Sequence, residues 1–380
     1  MIDKIIFSGY KSFKNKSELE LKPITIVFGK NSSGKSAIAK LPTLIESSLS
    51  GKFIEPLNYI NKRIELGAEP RDLFYNREFQ QQLNFKIFSD NNFLDVEIIN
   101  SVTKPVITSW ECCFEKNPPQ NEKLTSKDIG SANGNLFSGF IKNDRKKELK
   151  NAFRLKTDYI GPFRLNPPRA FLLKGKGEYK RIGIKGENAY QVLAIDEELT
   201  AKVSSWYENN FDGWELIVNK IEPYYEIRIK RKNSSNNGVN IVDVGQGMSQ
   251  ALPLIVKAHL INTKPVLNIW EQPELHLHPA AHGNLAQLLV DSIQQTKNKY
   301  LIETHSKNFI LRLRRLIAEG KLDRDDINLY WVYYDDEDSS SILKKVPIKA
   351  SGAVEFWPDN IFNESFEETL ALKKAQNNQI

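Results

Sequence analysis

Long apolar runs and cysteines are both scarce in this sequence of 380 residues. No run approaches the roughly 20 apolar residues that a membrane helix needs, so no membrane span is predicted. The two cysteines, Cys112 and Cys113, are adjacent, which excludes a disulfide framework and favours a reducing cytosol. The first residues, Met1–Lys4, lead into a strand-like stretch and lack the layout of a signal peptide. We therefore expect a cytoplasmic location and no membrane partner.

A strong excess of charge of one sign is also absent. The sequence contains 53 Lys and Arg against 47 Asp and Glu, a formal net charge of +6. This balance permits a nucleic-acid partner but does not require one. With 40% hydrophobic and 26% charged residues, the composition is that of a globular protein and excludes wholesale disorder. Coiled-coil heptads of useful length and internal repeats are missing as well.

A glycine- and serine-rich turn between a predicted strand and a predicted helix is the strongest signal present. The run Gly29–Ser36 fits G-x-x-x-x-G-K-[ST] at every position, follows the apolar strand Ile24–Phe28 and opens a helix predicted over 36–47. The backbone N–H groups of such a turn, with the helix N-terminus, bind phosphate oxygens. Lys35 is expected to bridge the β- and γ-phosphates of a nucleotide, and the Ser36 hydroxyl to hold Mg²⁺. The predicted nucleotide contacts in this segment are Gly29, Asn31, Ser32, Ser33, Gly34, Lys35, Ser36 and Ala37.

Three later segments narrow the class of nucleotide site. The apolar strand Val266–Trp270 is followed by Glu271, in the position of an acid that holds Mg²⁺. A second apolar strand leads to His305, which is placed to reach a γ-phosphate or an attacking water. Gly245 and Gly247 stand at the start of another predicted helix, an arrangement that binds anions.

In chain order these segments resemble the phosphate loop, signature, acidic strand and histidine switch of ABC-type ATPases. The runs Glu271–Pro279 (E-Q-P-E-L-H-L-H-P) and Glu303–Ser306 (E-T-H-S) resemble more closely a soluble branch that includes the overcoming-lysogenization-defect nucleases and the Septu defence ATPase. The opening Phe7–Phe13 is similar to the F-K-S-F start of recombination and SMC-type ATPases. Residues 309–322 and 357–364 resemble a small bacterial ATPase family whose C-terminal module has no assigned function.

The resemblance implies an α/β fold, namely an ABC-type P-loop ATPase head with a mixed sheet, an inserted lid subdomain and a small C-terminal module. The expected boundaries are 1–115 for the N-terminal ATPase lobe, 116–240 for the lid, 241–345 for the signature, acidic strand and histidine switch, and 346–380 for the C-terminal module.

The resemblance also implies a homodimer, or a higher homo-oligomer, that sandwiches ATP and Mg²⁺ between subunits. The signature residues Gly245, Gly247 and Ser249 would then contact the nucleotide held by the other subunit. Two registers are open. In one, Gly245 takes the place of the usual signature serine and backbone N–H groups are the donors. In the other, Ser249 takes that place.

The pair that would hold the metal and orient the attacking water is, by position, Glu271 and Gln272. A glutamine cannot accept a proton, so general-base help is lost there, although the side chain can still position a water. Glu274 or His305 is left to supply the missing function. We expect slow hydrolysis or tight ATP-bound dimers rather than fast turnover. The predicted catalytic residues are Lys35, Glu271, Gln272 and His305, and the predicted Mg²⁺ ligands are Ser36 and Glu271.

Two other clusters have competing interpretations. The histidines His276, His278, His282 and His305 include metal-ligand spacings, but no cysteine or dense carboxylate set accompanies them, and the ATPase interpretation already explains three of the four. The acids of Asp335–Asp338 follow a strand, as in a Toprim-type nuclease, but a solvated hairpin turn explains them better.

Basic runs interleaved with aromatic residues are explained either by a nucleic-acid path or by the solvated surface of the lid. The runs are 142–156, predicted to be helical, 174–185 and 228–232. Arg164 and Arg169 resemble a family segment near the nucleotide or near the partner interface. The polar stretch 115–135 predicts a loop or insertion. The lid core is predicted to contain Trp206, Trp214, Tyr224 and Tyr225.

The predicted function is that of a cytosolic ATPase that controls a separate effector, which the resemblance suggests is a nuclease in anti-phage defence. Three rival functions are a DNA-repair ATPase that acts on DNA directly, a weakly hydrolysing nucleotide-sensing scaffold, and an ATP-binding subunit of a membrane transporter. The absence of an L-S-G-G-Q signature counts against the transporter, and the absence of long coiled coils counts against a repair protein of the SMC type.

Overall fold

The structure, a computed structural model, describes residues 1–78, 81–101, 104–116, 118, 120–131, 136–173, 181–262, 264–358 and 364–377. Strands and helices alternate through the second half of the chain, and the central sheet contains both parallel and antiparallel pairs. The predicted α/β class with a mixed sheet is therefore confirmed. None of the described helices is long and apolar enough to span a bilayer.

The elements are numbered in chain order. The described strands are β1 (Lys4–Ser8), β2 (Ser17–Glu20), β3 (Ile24–Gly29), β4 (Ile60–Asn61), β5 (Ile64–Glu65), β6 (Gln82–Ser89), β7 (Asn92–Asn100), β8 (Pro105–Phe114), β9 (Gln120–Leu124), β10 (Phe137–Ser138), β11 (Ile141–Lys142), β12 (Thr157–Ile160), β13 (Trp214–Ile221), β14 (Tyr224–Arg231), β15 (Val239–Asn240), β16 (Leu267–Glu271), β17 (Lys299–Glu303), β18 (Ile327–Asp335) and β19 (Ser340–Lys345). The described helices are α1 (Lys35–Ser48), α2 (Ser126–Ser131), α3 (Lys146–Ala152), α4 (Ala189–Ile195), α5 (Glu197–Asn210), α6 (Gln246–His259), α7 (Pro279–Gln295), α8 (Lys307–Ala318) and α9 (Glu364–Asn377).

The central sheet has the strand order β12-β16-β17-β3-β18-β19, in which only the last pair is antiparallel among the described strands. Every residue of β3 is buried, as the apolar run of this strand predicts. Parallel strands end at the same edge of a sheet. The segments that follow β3, β16 and β17 therefore meet at one edge.

Two hydrophobic cores lie on opposite faces of this sheet. Because side chains alternate along a strand, Ile24, Ile26 and Phe28 of β3 belong to one core and Val27 belongs to the other. The first core includes residues of α6, α7 and α8. The second includes residues of α1 and of the antiparallel sheet formed by β1, β2 and β6 to β9. The sheet edge that carries the segment after β3 is thus held from both sides.

The antiparallel sheet has the order β2-β1-β6-β7-β8-β9. The structure corrects the prediction of a loop over residues 115–135, because in the described part of that segment β9 pairs with β8 and α2 follows it. The expected boundary at residue 116 therefore cuts through this sheet. Further on, β12 is an edge strand of the central sheet, so the segment assigned to a lid contributes to both large sheets.

A smaller sheet, β13-β14-β15, packs against α5. Trp206, Trp214 and Tyr225 pack partly buried against the first core. Tyr224 is 47% exposed, so its predicted place in the lid core is wrong. The helix predicted over 142–156 is also shorter in the structure, where α3 ends at Ala152.

The segment after β19 lies against the first core. Trp357 stacks on Phe28 of β3 with ring centroids 5.4 Å apart, and the Arg314 guanidinium donates to the Gly352 carbonyl at 2.8 Å. The start of the C-terminal module predicted for 346–380 therefore packs onto the head. The described residues of α9 from 367 to 376 are exposed.

Candidate functional site

The phosphate-loop segment forms the predicted strand–turn–helix between β3 and α1. Gly29 and Gly34 flank the turn with φ angles of 155° and 101°, which disfavour any residue with a Cβ atom. A Cβ atom on Gly29 would lie 2.0 Å from the Val332 carbonyl oxygen, and one on Gly34 would lie 2.8 Å from the Ser12 hydroxyl. Gly29 is therefore required by the close approach of the β18 backbone, and Gly34 by its φ angle and the nearby Ser12 side chain. The turn leaves the N-terminal N–H groups of α1 available for an anion.

Lys35 is the first residue of α1 and is 4% exposed. Its ammonium group donates to the Lys30 carbonyl at 2.5 Å, across the phosphate loop. Burial lowers the pKa of Lys35, and the nearby Glu303 carboxylate opposes that effect. A cation is thus held at the position where phosphate charge is predicted to lie.

A cavity of about 350 Å³ opens directly at this loop. Six loop and helix residues line it together with three residues from the ends of β16 and β17. They are Asn31, Ser32, Gly34, Lys35, Ser36, Ala37, Gln272, Glu303 and His305. The structure therefore brings the phosphate loop, the predicted glutamine and the predicted histidine into one space. The remaining predicted loop contacts, Gly29 and Ser33, do not line the cavity formed by the described residues, and Ser33 is 2% exposed.

Glu303 is the functional residue that sequence reasoning left without a role. The Ser36 hydroxyl donates to the Glu303 carboxylate, with distances of 3.1 and 2.9 Å to its two oxygens. Burial raises the pKa of Glu303, while Ser36 and Lys35 act in the opposite direction. Its place in the E-T-H-S run next to His305 was the available signal. The run could not show that the side chain points at Ser36.

Glu271 lies at the end of β16, paired in register with Glu303. It is 5% exposed and does not line the cavity formed by the described residues. Burial and the neighbouring Glu303 raise the pKa of Glu271 to about 7, against the effects of Lys40 and the Tyr159 hydroxyl. One carboxylate oxygen of Glu271 has no hydrogen-bond partner within the described part of the chain.

The oxygen atoms of Ser36, Glu303 and Glu271 suit Mg²⁺, which prefers oxygen ligands such as hydroxyl and carboxylate groups. The Ser36 hydroxyl and the Glu303 carboxylate lie together at the cavity, and Glu271, which pairs with Glu303 in the sheet, has one buried oxygen without a partner among the described residues. Two adjacent buried carboxylates that repel each other are a further reason for a cation to bind there. The residues present therefore fit the metal that the motif requires.

Gln272 lines the cavity with a backbone φ of 45°, and its N–H group donates to the Glu303 carbonyl at 2.8 Å. The side chain carries no ionisable group. It is placed to orient a water molecule in the cavity but not to take its proton. The slow hydrolysis expected from this glutamine stays a prediction.

The Glu274 side chain bonds the backbone of His305 and does not line the cavity formed by the described residues. Its carboxylate accepts the N–H group of His305 at 2.6 Å, and burial raises its pKa. Arg164, 7% exposed, donates to the Leu275 carbonyl at 3.2 Å and lies close enough to Glu274 for their charges to interact. Glu274 is therefore placed as a positioning residue, and His305 is the member of that pair that faces the cavity.

His305 is neutral at physiological pH in this arrangement. Burial and the positive charge of Lys35 lower the pKa of His305 to about 4. A neutral imidazole beside the phosphate loop can donate or accept one hydrogen bond without adding positive charge.

The signature residues lie at the start of α6, away from the cavity. Gly245 caps the helix and is exposed, Gly247 is half-buried, and Ser249 is 4% exposed with its hydroxyl donating to the Gln246 carbonyl at 3.2 Å. Among the described residues none of these three lines the cavity of the same chain. The Ser249 hydroxyl is turned onto its own helix, whereas Gly245 is exposed at the N-terminus of that helix.

The other candidate residues have local partners. The imidazole of His282 bonds the Ser306 hydroxyl at 2.7 Å and the Leu277 carbonyl at 3.1 Å, and His278 accepts the N–H group of Ala280 at 3.3 Å at the start of α7. Across the described ranges, no group of three or more His, Cys, Asp or Glu side chains is arranged to hold a metal ion. Asp335–Asp338 lies at the turn between the antiparallel strands β18 and β19.

Several residues of the basic segments form ion pairs. Lys142 and Arg145 form ion pairs with Glu122 at 2.6 and 3.0 Å, and Arg169 forms one with Asp243 at 2.5 Å. Of the run 174–185, residues 174–180 lie outside the described residues. Arg169 is therefore bound to the segment that precedes α6 and does not line the cavity in the described part of the chain.

Two family models match the chain. One, described as an AAA ATPase domain, matches residues 180–310, a range that contains the signature segment, Gln272, Glu303 and His305. This chain is an ATPase. The second model, described as a protein of unknown function (DUF3696), matches residues 322–372. No curated protein matches the chain.

Three similar solved structures are SMC head domains. An SMC head bound to the C-winged helix domain of ScpA is 15% identical, with 91% of this chain and 98% of that chain covered and a TM-score of 0.48. The SMC head domain from Thermotoga maritima is 13% identical, with 91% and 99% covered and a TM-score of 0.41. The SMC head domain with an extended coiled coil, bound to the C-terminal domain of ScpA and derived from Pyrococcus furiosus, is 13% identical, with 91% and 96% covered and a TM-score of 0.47.

Proposed function

We propose that this ATPase binds Mg·ATP in the cavity at the phosphate loop and that two copies close around the nucleotides. The observation that carries the proposal is the contact between Ser36 and Glu303 beside Lys35, in a cavity that Gln272 and His305 also line. The backbone of the loop and the Lys35 ammonium bind phosphates. Ser36 and Glu303, with Glu271 paired to Glu303 in the sheet, would hold Mg²⁺, which would neutralise charge on the phosphate oxygens.

Hydrolysis in this site is slow because no described side chain at the cavity is well placed to accept a proton. Gln272 positions the attacking water, and neutral His305 offers one hydrogen bond. Glu303 is committed to Ser36 and to the metal. The ATP-bound state therefore persists long enough to act as a switch.

The second subunit completes the site through the start of α6. Gly245 is exposed at the N-terminus of a 14-residue helix, so the N–H groups there are free to meet phosphate oxygens of a nucleotide held by another copy. In one chain this terminus lies away from the cavity, which is the arrangement that a sandwich of two copies requires.

The switch controls a separate effector protein, by our proposal a nuclease in anti-phage defence. This step rests on the resemblance of Glu271–Pro279 and Glu303–Ser306 to the overcoming-lysogenization-defect and Septu ATPases, since fold alone does not carry function. A second candidate is a nucleotide-sensing scaffold that hardly hydrolyses ATP, which Gln272 favours. The expected location of either is the cytoplasm.

Steady-state ATP turnover tests the proposal, with and without duplex DNA. We expect low turnover for the wild-type chain and none for Lys35→Ala, which loses the phosphate-binding cation. Gln272→Glu restores a general base in the cavity and is expected to raise turnover about 100-fold. Stimulation of the wild-type chain by DNA would favour a DNA-acting ATPase over an effector switch.

Fluorescent ATP-analogue binding separates the two parts of the proposal. In one outcome the wild-type chain binds the analogue, Lys35→Ala binds it more weakly, and the turnover of the wild-type chain never exceeds that of Lys35→Ala. That outcome would support the scaffold function and contradict hydrolysis. Absence of nucleotide binding by the wild-type chain would overturn the site itself.

A further inference from the structure

A second cavity, of about 580 Å³, lies at the opposite end of the central sheet from the phosphate loop. It is bounded by the C-terminal end of α1, by the segment after α3 and by the residues just before β12 and β16. The nucleotide cavity lies at the carboxyl ends of the parallel strands, whereas this cavity lies at their amino ends. The two sites are therefore separated by the length of the strands.

The wall of this cavity is apolar. Leu49 and Phe153 are buried beneath it, and Leu155 and Pro265 complete it. Such a wall excludes water and favours a ligand with a flat or apolar part. The volume lies within the range of roughly 300–1,000 Å³ that small-molecule sites occupy.

The rim of the cavity is cationic. Five basic residues line it, namely Lys52, Lys150, Arg154, Lys156 and Lys264. None of the five forms an ion pair with another residue that the structure describes, whereas Lys142 and Arg145 of the same basic run are paired with Glu122. The acid that lines the cavity, Glu46, is already bound by Lys62 and Thr157.

Lys156 at the rim lies near further positive charge. Burial lowers the pKa of Lys156, and Arg181 and Lys257, two cations beside the cavity lining, lower it further, while Asp158 and Glu46 act in the opposite direction. A bound anion would relieve this repulsion. Because several cations converge from three separate parts of the chain, a ligand with more than one negative charge matches them better than a single carboxylate does.

We propose that this cavity binds a nucleoside phosphate, with the base against the apolar wall and the phosphate groups on the cationic rim. The ligand comes either as a free nucleotide or as the phosphorylated end of a nucleic-acid strand. The two sources share this chemistry, and the experiment below distinguishes them. The site does not depend on the proposed ATP site, because the two cavities have no residue in common.

Fluorescence anisotropy with the full chain tests the proposal, in a Lys35→Ala background that weakens nucleotide binding at the phosphate loop. The probe is a 3′-labelled, 5′-phosphorylated single-stranded dT12, compared with the same strand without the phosphate. The test variant is Lys150→Ala with Arg154→Ala. The matched control is Lys147→Ala, which removes a cation from the same helix outside the cavity.

We expect the double variant to weaken binding about tenfold or more, with a reduced dependence on salt, and Lys147→Ala to change it less than about twofold. If the 5′-phosphorylated strand binds more tightly than the strand without the phosphate, and millimolar UTP does not displace it, the ligand is a strand end. Displacement by UTP identifies a free nucleotide. Equal losses in the double variant and in Lys147→Ala, or no binding of either ligand, would overturn the proposal. Equal thermal unfolding midpoints for the variants show that the fold is intact.

Discussion

At the residue scale, the carboxylate that contacts the phosphate loop is Glu303 and not the Glu271 to which the motif assigns the metal. Its side chain contacts Ser36, the predicted metal ligand of the phosphate loop, whereas Glu271 lies behind it next to Tyr159. The strand order explains this placement, because β17 lies between β3 and β16. The acid that ends β17 is therefore nearer to the phosphate loop than the acid that ends β16.

Glu303→Gln is predicted to uncouple nucleotide binding from Mg²⁺. The amide oxygen can still accept from Ser36, but the charge that attracts the metal is lost. We expect the affinity for a fluorescent ATP analogue in Mg²⁺ to fall about tenfold, towards the value measured in EDTA. The measurement is a pair of titrations, with Mg²⁺ and with EDTA.

Glu337→Gln, at an exposed position of the turn between β18 and β19, is the control for the loss of one negative charge. Glu271→Gln is the comparison inside the site. If the Mg²⁺ dependence survives in Glu303→Gln and disappears in Glu271→Gln, the assignment made from the motif is right and the one made from the contact is not.

At the scale of elements, a polar contact joins the antiparallel sheet to the central sheet. Glu20 at the end of β2 accepts from the Asn328 amide of β18 at 3.1 Å and from the Lys345 ammonium of β19 at 2.7 Å. Its own N–H group donates to the Tyr330 hydroxyl at 2.9 Å. The Asn328 amide also donates to the Glu20 carbonyl at 3.2 Å. Four hydrogen bonds at one residue thus connect the two sheets beside the start of β3.

This contact predicts a pH-dependent contribution to stability. Partial burial raises the pKa of Glu20, but the bonds from Lys345 and Asn328 outweigh it, and the pKa falls from 4.5 to about 2. The lowered pKa means that the contribution is fully present above pH 4.5 and is lost as the pH falls towards 2. Glu20→Gln should cost about 1 kcal/mol at pH 7, a modest value because solvent screens the partly exposed pair.

Urea unfolding of the wild-type chain and Glu20→Gln at pH 7 and at pH 3 measures this difference. The free energies of unfolding should differ at pH 7 and come closer together at pH 3. A difference that is the same at both pH values would show that the effect comes from packing and not from the charge of Glu20.

The elements that the sequence predicts well are those whose environment is uniform. β3, β16 and β17 are buried along almost their whole length, and each reads as a short apolar run. β9 and α2 escaped prediction because they are largely exposed and polar, so that their sequence resembles a loop. Pairing with β8, a contact that no local pattern encodes, makes β9 a strand.

For the whole molecule, the central prediction is an ATP-dependent dimer. Gly245→Asp places a carboxylate at the exposed N-terminus of α6, where a Cβ atom meets no described atom within 4 Å and the backbone φ of −56° suits any residue. The acid should stabilise the helix in the free chain and repel the phosphates of a partner's nucleotide. We expect the wild-type chain to dimerise in Mg·ATP and Gly245→Asp to remain monomeric.

Light scattering after size-exclusion chromatography, with and without Mg·ATP, measures the two states. Gly130→Asp is the control, because a Cβ atom on Gly130 also meets no described atom within 4 Å and this residue lies in α2, far along the chain from the signature. Dimers of Gly245→Asp as abundant as those of the wild-type chain would contradict a nucleotide sandwich built on α6.

The sequence by itself determined the phosphate loop and the buried strands around it, because short-range sterics and hydrogen bonding specify a strand–turn–helix wherever these residues occur. It also determined the neutral side chain at position 272, because a glutamine carries no ionisable group. The tertiary structure alone decided that Glu303 contacts Ser36, that Glu274 holds the backbone of His305, and that cations from α3 and from the segments around α1, β12 and β16 surround one cavity. The reason is that strand order and packing across the sheet set which distant residues become neighbours, and these are properties of long-range burial rather than of any local pattern.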